Sequence, residues 1–125
     1  MILDTNALSA FAENDQSLLA VLPTDRPWYL PVVVVGEYRF GLRGSQERAN
    51  REQWLRELLV AITVLPITEF TTEHYATVRH DLKAANRQIP PNDAWIAALA
   101  LEHGSAVLSR DAHFDLVPGI RRIAW

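Results

Sequence analysis

Met1-Ile2-Leu3-Asp4-Thr5-Asn6-Ala7-Leu8 is the stretch whose reading decides how this chain folds. Ile2 and Leu3 have the character of a short buried strand. Asp4-Thr5-Asn6 stops that strand with three polar residues in a row. Thr5 or Asn6 is placed to cap a helix that runs on through Phe11. A strand that turns directly into a helix is the opening move of an α/β unit, and the same move recurs downstream.

Asp15 is read as the cap of a second helical piece, Ser17 to Leu22, which Pro23 ends. Trp28-Tyr29-Leu30 is β-like and Pro31 breaks it. Val32 to Val35 is four β-branched residues in a row, which taken alone favours a strand. The continuation Gly36-Glu37-Tyr38-Arg39-Phe40-Gly41-Leu42 favours a helix from near Val32 instead. Gln46 to Ile62 is the clearest helix, with Trp54, Leu55, Leu58, Leu59 and Ile62 on one stripe. Val64 to Ile67 reads as a strand and Thr72 to Asn86 as a helix. Gln88 to Asn92 contains Pro90-Pro91 and reads as loop. Asn92 is then the expected cap of an apolar helix, Asp93 to His103, stopped by Gly104. Ala106 to Leu108 is a buried strand, Asp111 to Leu116 a turn or short helix, and Ile120 to Ile123 a last strand. Short apolar strands alternating with helices predict a three-layer α/β/α sandwich around a mostly parallel sheet.

The chain has 125 residues, enough for one domain over 1–125 and too few for two comfortable ones. No apolar run is long enough to span a bilayer, and no basic segment leads into a signal-type stretch. A cytoplasmic location is therefore expected. The absence of Cys removes disulfides, thiolate zinc sites and cysteine nucleophiles. Net charge is −3, which taken as a sum argues against a nucleic-acid partner. Setting aside Asp4, Glu37, Asp93 and Asp111 leaves eleven acidic residues against twelve basic ones, so a cation held by those four would largely reverse the repulsion. Eleven of the basic residues are Arg, whose planar fork suits phosphate.

Those acids carry the chemistry. Asp4, Asp93 and Asp111 each stand beside sequence that should be buried, where an unpartnered charge is expensive. In an open parallel sheet, ligands sit beyond the carboxyl ends of the strands. Asp4 directly follows the first strand, Asp111 lies three residues after Leu108, and Asp93 opens a helix facing the same rim. Glu37 is the expected fourth. Two carboxylates ~4 Å apart repel by roughly 4 kcal/mol at an effective dielectric near 20, so four together call for protonation or a cation. Hard oxygen donors favour Mg²⁺ or Mn²⁺, and such a site suits phosphodiester hydrolysis. A first-turn acid gains only ~0.3–1 kcal/mol from a helix dipole, which explains one aspartate and not four. No Gly-rich phosphate loop is present. His74, His80 and His103 read as surface residues. His113 lies close enough to Asp111 to touch a phosphate, though a surface role is the simpler reading. Trp54 and Leu58 read as core or dimer contacts rather than a base-stacking platform.

Four segments taken together resemble the PIN-domain family. They are Leu3-Asp4-Thr5-Asn6, Gly36-Glu37 with Gly41, Ile89-Pro90-Pro91-Asn92-Asp93-Ala94-Trp95-Ile96-Ala97-Ala98, and Leu108-Ser109-Arg110-Asp111-Ala112-His113-Phe114. Their order and spacing are most similar to the VapC toxins of type II toxin–antitoxin systems, over essentially the full chain. The resemblance implies a PIN-like α/β/α fold and a Mg²⁺- or Mn²⁺-dependent endoribonuclease. It carries Asp4, Glu37, Asp93 and Asp111 over as the metal-binding acids and gives Thr5 or Asn6 a supporting hydrogen bond. Ser109 stands where the family often has Thr and keeps the hydroxyl. Asp115 is a further acid, taken as a supporting candidate behind Asp111. The resemblance also implies an RNA substrate, a homodimer and a cognate VapB-like antitoxin. Alternatives are a PIN nuclease of RNA maturation or decay, and a catalytically silent domain that binds RNA or protein.

Overall fold

The computed structural model describes residues 1–125. Five strands form one sheet: β1 (Ile2–Leu3), β2 (Tyr29–Pro31), β3 (Thr63–Leu65), β4 (Val107–Leu108) and β5 (Arg122–Ile123). Their spatial order is β3-β2-β1-β4-β5 and every neighbouring pair is parallel. The helices are α1 (Thr5–Ala12), α2 (Gln16–Val21), α3 (Val32–Leu42), α4 (Arg48–Ala61), α5 (Glu69–Ala84) and α6 (Pro91–Glu102). A 3₁₀ turn over Ala112–Leu116 joins β4 to β5.

The chain walks outward from β1 to β3 on one side, then returns past β1 to β4 and β5. Parallel crossovers are right-handed, so this reversal puts the helices of the two halves on opposite faces. The main contacts agree: α5 lies on α6 and α1 on α3 and α2, while α3 meets both α4 and, where Glu37 reaches Asn92, α6. The expected α/β/α sandwich is thus the observed one. Its core is aliphatic, with Ile2, Leu3, Leu30, Val107 and Leu108 of the strands fully buried against Leu8, Ile96, Leu99 and Phe114. No helix is long and apolar enough to cross a membrane.

The reversal of strand order falls between β1 and β4, paired as Ile2 with Val107 and Leu3 with Leu108. The carboxyl ends of these two strands therefore open a crevice, the place where parallel sheets bind ligands. Asp4 and Ser109 are the first residues beyond them.

Local structure departs from expectation at several points. Asp4 itself caps α1, its carboxylate accepting the N–H of Thr5 at 2.7 Å, so neither Thr5 nor Asn6 is the cap. Pro31 ends β2 rather than breaking it, and then serves as the residue before α3. Its fixed φ suits both roles. β3 ends at Leu65, short of Ile67. α5 begins at Glu69, a turn earlier than Thr72, because Thr68 and Thr71 form a reciprocal capping box. The Pro90-Pro91 loop is shorter than expected: Pro91 occupies the first turn of α6, where a missing N–H costs nothing. Asn92 consequently sits inside that helix and does not cap it. Asp15 does cap α2, accepting from Ser17 and Leu18, and Gly104 adopts the left-handed φ of +59° beyond α6. Trp54 packs edge-on against Phe11 at 5.8 Å, a core contact.

Candidate functional site

Asp4 is the anchor of the rim crevice. It is only 3% exposed, and its oxygens are well provided with donors. Oδ1 takes the Thr5 N–H; Oδ2 takes Ser109 Oγ at 2.6 Å and Asn6 Nδ2 at 2.9 Å. These bonds follow from the fold, since Asp4 and Ser109 emerge side by side from paired strands. Asn6 in turn accepts the Arg110 N–H at 3.0 Å, and Ser109 Oγ accepts the Asp111 N–H at 2.9 Å. The two β-strand exits are thereby stitched into one network that presents Asp4 and Asp111 to the same opening.

Glu37 arrives from α3. One of its oxygens accepts the Thr5 hydroxyl, and the other accepts Asn92 Nδ2 at 2.5 Å. The helical register of Val32–Leu42 is what turns Glu37 toward the rim; Val34, Val35 and Tyr38 occupy the buried face. Asp93 lies one residue beyond Asn92, in the first turn of α6. Its Oδ2 is 3.0 Å from Nδ1 of His113, and that same Nδ1 is 3.0 Å from Oδ1 of Asp111. Asp4, Glu37, Asp93 and Asp111 all line one open cleft of about 530 Å³, together with Thr5 and Asn6.

The electrostatics reflect crowding of like charge. Burial pushes the Asp4 carboxyl above its ordinary range, and the charges of Asp93 and Glu37 push the same way, against the bonds from Ser109 and Thr5. Burial also raises Asp93, helped by the charge of Asp111 and opposed by His113. The His113 imidazole is raised in return, first by its bond to Asp93 and then by Asp111. Carboxylates held together at such cost, with oxygen donors converging from four separate parts of the fold, are the chemistry of a divalent-cation site.

Asp115 is placed elsewhere: both of its oxygens are taken by Arg122, at 2.7 and 2.8 Å. Arg122 also donates to the Ser109 carbonyl at 3.1 Å, so this pair buttresses the β4 exit from behind. Arg110 pairs with Asp15 at 2.9 Å and lies over the Trp125 ring at 4.6 Å, and Arg39 approaches Glu52 at 3.5 Å. Two site neighbours escaped the sequence reading. The sequence pattern makes Asn92 a helix cap, and His113 a surface residue near enough to Asp111 to touch a phosphate. The spacing Asp111-Ala112-His113 was the available signal: in a 3₁₀ turn capped by Asp111, the His113 N–H bonds back to Asp111 at 2.9 Å.

Residues 1–120 match the family model of the PIN domain. Ribonuclease VapC4 of Mycobacterium tuberculosis is 35% identical over 98 residues, covering 77% of this chain and 75% of that protein. The VapBC-5 structure from the same organism, a member of the VapBC family of toxin–antitoxin systems, superposes with a TM-score of 0.78 at 28% identity, over 99% of this chain and 97% of that one. VapBC2 of Rickettsia felis, solved bound to a promoter DNA fragment, gives a TM-score of 0.88 over 99% and 97% at 19% identity, a likeness of fold.

Proposed function

The chain belongs to the PIN-domain family, among the VapC ribonucleases, and from that premise we propose that it hydrolyses RNA phosphodiester bonds with a divalent cation held by Asp4, Glu37, Asp93 and Asp111. The observation that carries this reading is the convergence of those four acids on one cleft at the β1–β4 crevice. Their donor set is all oxygen and their charges repel, which fits Mg²⁺ or Mn²⁺. A cation bound there supplies Lewis-acid polarisation of a phosphoryl oxygen and a lowered pKa for a water.

The chain's own part is to hold ligands still. Asp4 is locked by three donors, so it cannot swing out of the cleft when a substrate arrives. Thr5 and Asn92 hold Glu37 from both sides, fixing its carboxylate plane. The Arg122–Asp115 pair supports the Ser109 carbonyl and so the backbone that carries Asp111. Fixed ligands of this kind cost no reorganisation when charge develops on the scissile phosphate.

We further propose that the protein is the toxin of a toxin–antitoxin pair, kept silent by a VapB-like antitoxin and acting as a homodimer. The relatives' names support the first part. Induced expression should arrest growth, co-expression of the antitoxin should relieve the arrest, and the Asp93→Asn form should cause none. Arrest by Asp93→Asn as well would favour a domain that acts by binding RNA or protein.

A further inference from the structure

We propose that His113 is a direct ligand of the cation, supplying through Nδ1 a nitrogen donor beside Asp93 and Asp111, and that this donor gives Mn²⁺ an advantage over Mg²⁺. The inference rests on the metal-dependent reading above and adds a ligand that an acids-only site lacks.

The geometry points there because one ring nitrogen stands equally close to two carboxylates of the cleft, in the one group of side chains spaced to hold an ion. Nδ1 lies 3.0 Å from Asp93 Oδ2 and 3.0 Å from Asp111 Oδ1. A ring nitrogen carries at most one hydrogen, in the ring plane, and one N–H makes one well-aligned bond. That bond is met toward Asp93. In the metal-free protein the equal approach to Asp111 is a shared, three-centre contact of that one N–H. With Nδ1 deprotonated, the same spacing would suit a cation shared by the three side chains. Donors on adjacent corners of an octahedron with ~2.1 Å bonds lie about 3.0 Å apart. Donor atoms of Asp93, Asp111 and His113 all fall within 4.8 Å of one another.

Local structure supports the placement. The Asp111 cap bonds the His113 N–H, so the backbone itself turns the imidazole back over the Asp111 carboxylate. The ring is 43% exposed and is not needed to fill the core. Imidazole strengthens binding of transition-metal ions, whereas Mg²⁺ strongly prefers oxygen.

The test is Mn²⁺ added to the metal-free protein and read by electron paramagnetic resonance with spin-echo modulation. The wild type is expected to show coupling to a directly bound imidazole nitrogen, absent in His113→Ala. Mn²⁺ affinity should fall by about tenfold or more in His113→Ala, with a smaller loss for Mg²⁺ measured by competition. Bound Mn²⁺ without nitrogen coupling in the wild type overturns the assignment, and this arm needs no variant. Unchanged Mn²⁺ affinity in His113→Ala overturns it as well. Asp93→Asn separates the two levels. If it abolishes Mn²⁺ binding while His113→Ala does not, only the histidine is misassigned. If neither variant alters binding, the acidic site itself fails and the histidine with it.

Discussion

The Oγ of Ser109 donates to Oδ2 of Asp4 at 2.6 Å across 105 residues of chain. This bond spans the two strand exits at the point where the sheet reverses direction. It both satisfies a buried carboxylate and fixes the distance between the β1 and β4 ends of the site.

Removing that hydroxyl should therefore cost stability and activity together. A hydrogen bond to a charged buried group contributes ~1.5–3 kcal/mol, and Ser109→Ala also leaves the Asp111 N–H unpaired. We expect urea denaturation to show a loss of about 2 kcal/mol, with Ser109→Thr near wild type. Equal stability of Ser109→Ala would remove the bond from the account.

Asn92 should act on the site through Glu37. Asn92→Ala frees one carboxylate oxygen of Glu37 and leaves the helix start, which Pro90 and Pro91 provide, intact. Loss of such an outer partner typically costs ~10–100-fold in metal affinity or activity. RNA cleavage should drop within that range with little change in melting temperature. A large melting shift with activity preserved would mean that Asn92 is structural only.

The metal-free protein should lose stability as pH rises. Asp4 and Asp93 are raised above the ordinary value of 3.8, and His113 above 6.5. A group whose folded value is raised contributes stability that is full below its unfolded value and lost as pH climbs through the folded one. All three act in the same direction, from above 3.8 to beyond 6.5. Asp15 and Asp115 are lowered, so their contribution is lost only on acidification below 3.8. In EDTA the melting temperature should fall across this window, and Mn²⁺ should flatten the profile. A rise with pH in EDTA would contradict the charge crowding described for the cleft.

Much of this was legible in the sequence, and the parts that were not have physical reasons. The α/β class could be read because Ile2-Leu3 and Val107-Leu108 are apolar pairs ended at once by polar residues. Val32 to Val35 has strand-like side chains, yet the run is helical because Pro31 starts the turn and α3 buries Val34, Val35 and Tyr38 on one face. A helix cap and a site acid are alternative readings of Asp4 in sequence, and the structure gives its carboxylate both roles. Asn92 and His113 were underrated because their partners, Glu37 and Asp93, lie 55 and 20 residues away in sequence, and spacing alone carries no such contacts. Asp115 is a supporting candidate by its position, and its partner, Arg122 of β5, is a contact that spacing alone does not carry.

Asp93→Asn should separate stability from function. Neutralising one of several crowded carboxylates relieves repulsion, so in EDTA the variant should melt at or above the wild-type temperature. Mn²⁺ should then stabilise it much less than the wild type, since binding to the folded state is what shifts the transition. An Asp93→Asn protein that melts well below wild type in EDTA would assign Asp93 a structural role.

The most direct measurement is cleavage of RNA by the purified protein with Mn²⁺ or Mg²⁺, compared with EDTA and with Asp4→Ala and Asp93→Asn. The account predicts discrete cuts with the cation, none in EDTA, recovery on adding the cation back, and a loss of at least about a hundredfold in each variant. Cleavage that persists in EDTA, or in either variant at wild-type rate, would contradict it.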